Sequence, residues 1–180
     1  MVLATKRGDV SAFETLYERW HNKIYAYLWN LLNYNYDDTV SLTSDVFIKF
    51  YEYIKHHDIE NVKSILYRIA HNAAIDLMRT NQSQYEQSFD EEKIQHIPSK
   101  EDHKHEINVM FQEELFQKLL SLLDEQYREV LYLYYYEEKS YEDIADIFGT
   151  NKNSIGTLLF TAKKKLNELA EKYGRKNELV

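Results

Sequence analysis

The sequence predicts an all-α protein made of two small helical domains joined by an extended acidic linker. Three observations lead there. The 180-residue chain holds only 4 glycines and 1 proline, and strand-rich folds draw on both for their many tight turns. Its apolar residues recur at three- and four-residue steps over long stretches, which is the spacing of one helix face. That periodicity stops over residues 81–106, a polar and acidic stretch that carries the single proline, Pro98. A segment of this length exceeds the usual loop inside one compact domain, so it reads as a boundary between residues 1–80 and 107–180. The 16 tyrosines would suit strands; the periodicity decides against them.

The elements follow in order. Phe13, Leu16, Tyr17, Trp20, Ile24, Tyr27, Leu28 and Leu31 form one apolar stripe on a long helix, with Asp9 or Ser11 as its cap. "NYNYDD" breaks the pattern, and Asp37 or Asp38 caps a second helix that buries Val40, Phe47, Ile48, Tyr51 and Ile54. After the loop "KHHDIEN", a third helix turns Val62, Ile65, Leu66, Ile69, Ala73 and Leu77 inward. Three long helices with short connections make a small bundle. Beyond the linker, the pattern resumes with Ile107, Met110, Phe111, Leu115, Leu119 and Leu122, then Tyr127, Val130, Leu131 and Tyr134.

Composition excludes several classes. There is no cysteine, so neither disulfides nor thiolate metal sites exist, and a reducing compartment is compatible. No apolar run approaches the roughly 20 residues of a membrane span. "MVLATKRGDV" lacks a signal-peptide core, so the simplest expected location is the cytoplasm. The seven histidines include the neighbours His56–His57 and the pair His103 and His105, but neither has helical ligand spacing with a third donor nearby. Acidic pairs such as Asp37–Asp38 and Glu137–Glu138 sit at helix boundaries, where capping explains them. No phosphate-cradling glycine loop or nucleophile–base constellation stands out. The expectation is a protein with no cofactor, no metal and no catalytic centre of its own. A net charge of −8 opposes general nucleic-acid binding, but cations gather near the C-terminal end at Lys163, Lys164, Lys165, Lys172, Arg175 and Lys176.

The stretch "SYEDIADIFGTNKNSIGTLLFTAKKKL" has the punctuation of a helix-turn-helix. Ser140 and Asp143 give a start signal. Ala145 is small where two helices approach, Gly149 suits a turn with positive φ, and Ile155 closes the pocket. Asn153 or Ser154 caps the second helix, which runs through Leu159, Ala162, Leu166 and Leu169. Its outward residues, Asn153, Ser154, Gly156, Thr157, Phe160 and Thr161, carry no charge. Arg on guanine, the commonest base contact, is absent, although Asn and Thr suit adenine edges and thymine methyls. Lys152 and the triplet Lys163, Lys164 and Lys165 would meet phosphates; neutralising about three of them gives a log–log salt slope of only about −3.

These blocks together resemble the extracytoplasmic-function (ECF) group of the sigma-70 family of RNA polymerase initiation factors. "GDVSAFETLYERWHNKIYAYLWNLL", "DDTVSLTSDVFIKFYEYI" and "VKSILYRIAHNAAIDLMR" resemble the family's opening helix and second region. "LSLLDEQYREVLYLYYYEEKSYEDIADIFGTNKNSIGTLLFTAKKKLNEL" is similar to its fourth region. The resemblance implies core RNA polymerase, through its β and β′ subunits, and promoter DNA as partners. It implies polymerase docking through Leu42, Ser44, Asp45, Phe47 and Lys49. It places the −10 element against His56, His57, Asn61, Lys63, Arg68, His71, Asn72 and Arg79. It places the −35 element against Ser140, Lys152, Asn153, Ser154, Thr157, Thr161, Lys163, Lys164 and Lys165. The linker would run through the polymerase interior. An anti-sigma factor is a further partner of the kind the family uses.

Departures from the family pattern are informative. "TVSL" at Thr39–Leu42 replaces an acidic pair, and Ile65 stands where a tryptophan is common. Gly156, Leu158 and Thr161 stand where the −35 helix is usually basic. The last departure implies −35 reading that is weak or delegated to an upstream DNA-targeting partner, such as an activator or a nuclease-dead RNA-guided protein. An A·T-rich element that shifted together with its reader is the other account. A conventional helix-turn-helix regulator and a degenerate polymerase-binding module remain alternatives.

Overall fold

The computed structural model describes residues 2–59, 61–85 and 115–177, and side chains within these apart from 2–3, 81–85 and 174–177. Among them the elements are α1 (Val2–Lys6), α2 (Val10–Leu31), α3 (Tyr36–His56) and α4 (Val62–Tyr85), then a helical stretch α5 over 115–121. They continue with α6 (Glu125–Tyr135), α7 (Tyr141–Phe148) and α8 (Lys152–Asn177). The described residues contain no strand. Helix α4 runs five residues into the expected linker; the rest of the linker, with His103 and His105, and the start of the expected second domain, with Ile107, Met110 and Phe111, lie outside the described residues.

Helices α1–α4 form the first lobe. Asp9 caps α2 by accepting the Ala12 N–H at 3.1 Å, and the Ser11 hydroxyl bonds the same carboxylate. These bonds hold the Asp9 carboxyl below its ordinary range. Leu16, Ile24, Tyr27, Leu28 and Leu31 are buried as the periodicity requires, whereas Tyr17 stays exposed. The cap of α3 is Asn35, whose side chain accepts the Asp38 N–H at 3.1 Å. Asp37 and Asp38 fall inside the first turn instead, where their charge suits the helix dipole. The inward stripe of α3 is Thr39, Leu42, Thr43, Val46, Phe47, Phe50 and Ile54. Ile48, expected inside, is 62% exposed and Val40 is 41% exposed; Ile48 is rotated well away from the stripe that packs on α2 and α4.

Helices α5–α8 form the second lobe, with Leu120, Leu131, Leu133, Ile144, Ile147, Ile155 and Leu159 at its centre. The two lobes do not stand apart. Helix α7 packs on α4 and α6 packs on α2, and the buried apolar residues of both lobes join in one continuous cluster. Tyr27 of α2 meets Tyr132 of α6 with ring centroids 6.1 Å apart, and the Tyr34 hydroxyl lies 2.6 Å from Gln117 Oε1.

Candidate functional site

The helix-turn-helix is built from local bonds. Ser140 Oγ accepts the Asp143 N–H at 3.1 Å, and the Asp143 carboxylate accepts the Ser140 N–H at 3.1 Å in return. Asp thus completes a capping box usually closed by Glu or Gln, and the Ser140 bonds hold its carboxyl below the ordinary range. Gly149 takes φ +62°, a left-handed value that a side chain would strain. The cap of α8 is Asn151, neither Asn153 nor Ser154. Its side chain accepts the Ser154 N–H at 3.0 Å, and Asn153 and Ser154 already lie within the first turn.

Ile155, Leu159 and Ala162 are the buried side of α8. Asn153, Thr157, Phe160 and Lys164 line the opposite side at helical spacing, and all four are exposed. Phe160 is 73% exposed. Thr157 and Thr161 donate their hydroxyls back to the carbonyls of Asn153 and Thr157, at 3.1 and 3.0 Å. Ser154 Oγ likewise donates to Asn151 Oδ1. Gly156 does not face an open groove: a Cβ there would sit 3.7 Å from the Tyr141 ring.

The lysines are distributed unevenly. Lys152 pairs with Glu142 at 2.5 Å and holds that carboxyl below its ordinary range. Lys163 Nζ lies 4.8 Å from the centre of the Tyr134 ring. Lys165 pairs with Asp124 at 3.3 Å and lies 4.7 Å from the Tyr127 ring. Both therefore fold back on the lobe's own surface. Lys164 remains on the outward stripe, with Glu168 at 3.9 Å.

On α3, Ser44, Asp45 and Lys49 are exposed together with Val40 and Ile48. Leu42 and Phe47 are only 8% and 2% exposed. Their side chains belong to the stripe that packs the bundle. At the α3–α4 turn, His56 is exposed, and His57 stacks on Tyr53 with centroids 4.1 Å apart. Asn61 accepts the Ser64 N–H at 3.1 Å and so caps the start of α4. Along α4, Lys63 and Arg68 are half-buried, and Asn72 and Arg79 are exposed.

His71 is engaged by the second lobe. Its Nδ1 lies 2.7 Å from Glu129 Oε1 of α6, and its ring stacks on Phe148 of α7 with centroids 4.7 Å apart. The Tyr27 hydroxyl donates to the same Glu129 oxygen. Sequence reasoning missed Glu129, Arg128 and Lys139, all buried. Helical spacing gives no warning, because the Glu129 partners lie 58 and 102 positions away. Among the described residues no group of His, Asp and Glu is placed to hold a metal ion. None of their helices is long and apolar enough to cross a membrane.

A helical bundle packed against a capped helix-turn-helix is the architecture of a DNA-associated transcription protein. Comparison with known proteins narrows that class. Residues 16–84 match the model of sigma-70 region 2, and residues 113–166 match sigma-70 region 4, together more than half of the chain. The chain is 25% identical over 156 residues to the ECF RNA polymerase sigma factor SigM of Bacillus subtilis, covering 87% of this chain and 93% of SigM. It is 27% identical over 172 residues to SigW of the same organism, covering 91% of each. The fold is similar to that of the sigma factor RpoE of Bartonella quintana, solved with the anti-sigma factor NepR. The TM-score there is 0.71 at 22% identity, over 90% of this chain and 98% of RpoE. It is also similar to CnrH, solved with the cytosolic domain of CnrY, with a TM-score of 0.67 at 19% identity over 94% of each chain. The chain belongs to the ECF group of the sigma-70 family of transcription initiation factors.

Proposed function

We propose that this sigma factor brings core RNA polymerase to promoters and opens the −10 element, while its own −35 recognition is weak and rests on A·T-rich sequence or an upstream partner. The observation that carries the second half is the outward stripe of α8. It presents one amide, one threonine, one phenylalanine and one lysine. Two of the three lysines expected to reach phosphates from its end are turned inward onto Tyr134, Tyr127 and Asp124. The threonine hydroxyls are spent on the helix backbone. Beside the Asn153 amide and the Lys164 amine, what remains to touch a major groove is the Phe160 ring and the Thr157 methyl, which suit thymine methyls.

In this reading the exposed part of α3, with Ser44, Asp45, Lys49 and the neighbouring Val40 and Ile48, docks on the polymerase β′ subunit. His56, His57, Asn61, Lys63, Arg68, His71, Asn72 and Arg79 attend the −10 strand. Ser140, Lys152, Asn153, Ser154, Thr157, Thr161 and Lys163–Lys165 lie along the −35 side. The bond-making chemistry belongs to the polymerase, and work alongside it places the protein in the cytoplasm. By likeness to RpoE, which was solved with NepR, an anti-sigma factor is a natural regulator.

In vitro transcription with core polymerase tests the first half: promoter-dependent RNA is the expected product. A stable dimer that binds an operator without polymerase would favour a conventional regulator instead, and polymerase binding without RNA a degenerate module. Binding of the holoenzyme to promoters with and without a −35 element tests the second half. Little difference between them near physiological salt is expected; a loss of a hundredfold or more on deleting the element would overturn it.

A further inference from the structure

Helix α1 ends beside the α3–α4 turn, which the proposed function gives to the −10 strand. The helix packs on both α2 and α3, and its Thr5 is only 1% exposed. From its last residue, Lys6 Nζ reaches Asp58 Oδ1 of the turn at 2.6 Å, across 52 positions of sequence. The lysine holds the Asp58 carboxyl below its ordinary range. Arg7, Gly8 and Asp9 then carry the chain from α1 into α2. Gly8 takes φ +88°, a left-handed value that suits glycine. Its N–H donates to the Thr5 carbonyl at 2.9 Å, and the Arg7 N–H donates to the Ala4 carbonyl at 3.0 Å. The backbone of Arg7 is thus fixed one residue from the Lys6–Asp58 pair.

Stability does not explain that pair. The Asp58 side chain is 92% exposed and that of Lys6 29%, and exposed ion pairs contribute little to folding. Nor does the turn need it to keep its shape. His57 stacks on Tyr53, with its ring Nδ1 3.0 Å from the Tyr53 carbonyl oxygen. Ile59 packs against the core, and Asn61 caps α4. What the pair does fix is the end of α1 against the turn. Arg7 stands there exposed, with no carboxylate at ion-pair distance among the described residues. The two lysines at this edge are engaged instead: Lys6 by Asp58, and Lys55 by Glu52 at 2.7 Å and by the Tyr51 ring at 4.3 Å. An unpaired guanidinium held at such an edge is suited to phosphate, which it grips in a bidentate fork.

We propose that the end of α1 is a further promoter contact: the Lys6–Asp58 tie holds it beside the α3–α4 turn, so that the Arg7 guanidinium meets a phosphate of the strand the turn engages. This rests on the proposed −10 role of the turn. Asp58 then has a use in a protein that must approach DNA. Its charge is cancelled by Lys6, and the tie it makes brings a second cation to the strand.

Holoenzymes carrying the parent chain, Arg7→Gln, Arg7→Lys and Asp58→Asn are compared on one promoter, with opening read by permanganate reactivity of unpaired thymines. Arg7→Gln is expected to lower opening roughly fivefold, the factor for one ion contact at a wetted surface. It should also flatten the log–log salt slope by about 0.7, the increment for one contact to a single strand. Arg7→Lys should recover most of both. Asp58→Asn removes a negative charge, yet it should weaken opening, because the end of α1 loses its tie. In the free protein, trypsin should cut after Lys6 or Arg7 faster in Asp58→Asn than in the parent. Opening and salt slope unchanged in Arg7→Gln would overturn the phosphate contact. Stronger opening in Asp58→Asn, or equal trypsin rates, would overturn the tie. If the parent holoenzyme opens no promoter, the proposed function falls, while the trypsin rates still report on the tie.

Discussion

Replacing Lys139 by methionine should stabilise the protein, and more so at pH 7 than at pH 9. Lys139 is 4% exposed and its amine has no hydrogen-bond partner; the nearest carboxylate oxygen, of Glu137, is 3.9 Å away. Burial and then the facing Lys63 push its pKa down to about 7, against the pull of Glu137 and Asp143. A lysine depressed from its ordinary 10.5 costs the folded state nothing above pH 10.5. That cost grows as pH falls and is complete below about pH 7. At about 1.4 kcal/mol per pH unit this amounts to about 4 kcal/mol at pH 7 and about 2 kcal/mol at pH 9. Lys139→Met is therefore expected to gain up to about 4 kcal/mol at pH 7 and up to about 2 kcal/mol at pH 9. Urea unfolding of parent and variant at the two pH values measures this. Taking the difference between them cancels the titration of the buried tyrosines. A variant that is less stable than the parent by the same amount at both pH values would refute the reasoning, since the amine would then be usefully paired or hydrated.

Other perturbations report on the second lobe. Ser140→Ala removes the capping box and is expected to cost about 1 kcal/mol in a denaturation series. Gly149→Ala meets no atom within 4 Å, so its expected loss of about 1 kcal/mol comes from the left-handed φ of +62° alone. In holoenzyme–promoter binding, Lys164→Gln should flatten the log–log salt slope by about 1. Lys163→Gln should leave that slope nearly unchanged, because its ammonium already rests on Tyr134 and Tyr135. Phe160→Ala should lower affinity for a T-rich −35 element and make it insensitive to replacing thymine by uracil, while the parent loses affinity on that replacement.

The chain order of helices, the glycine turn and the Ser140 cap were legible because each depends on residues within about four positions of one another. Caps were placed less well where several candidates stood in a row. Asn35 and Asn151 each won because they are the last residues outside their helices, a boundary that composition alone marks only to within a turn. On α3 the resemblance named Leu42 and Phe47 as contact residues, and their burial in the bundle was not legible from it.

By itself the sequence determined a helical fold class, a helix-turn-helix and a second helix whose outward face Asn153–Thr161 lacks arginine, since periodicity, capping and side-chain chemistry are local properties. Only the tertiary structure decided that Lys163 and Lys165 turn inward, that His71 meets a glutamate 58 residues away, and that the lobes share one core. Those outcomes depend on how two surfaces distant along the chain fit together. Shape complementarity and the cost of burying a charge act on such a pair only after each helix has formed, and no spacing along the chain encodes them.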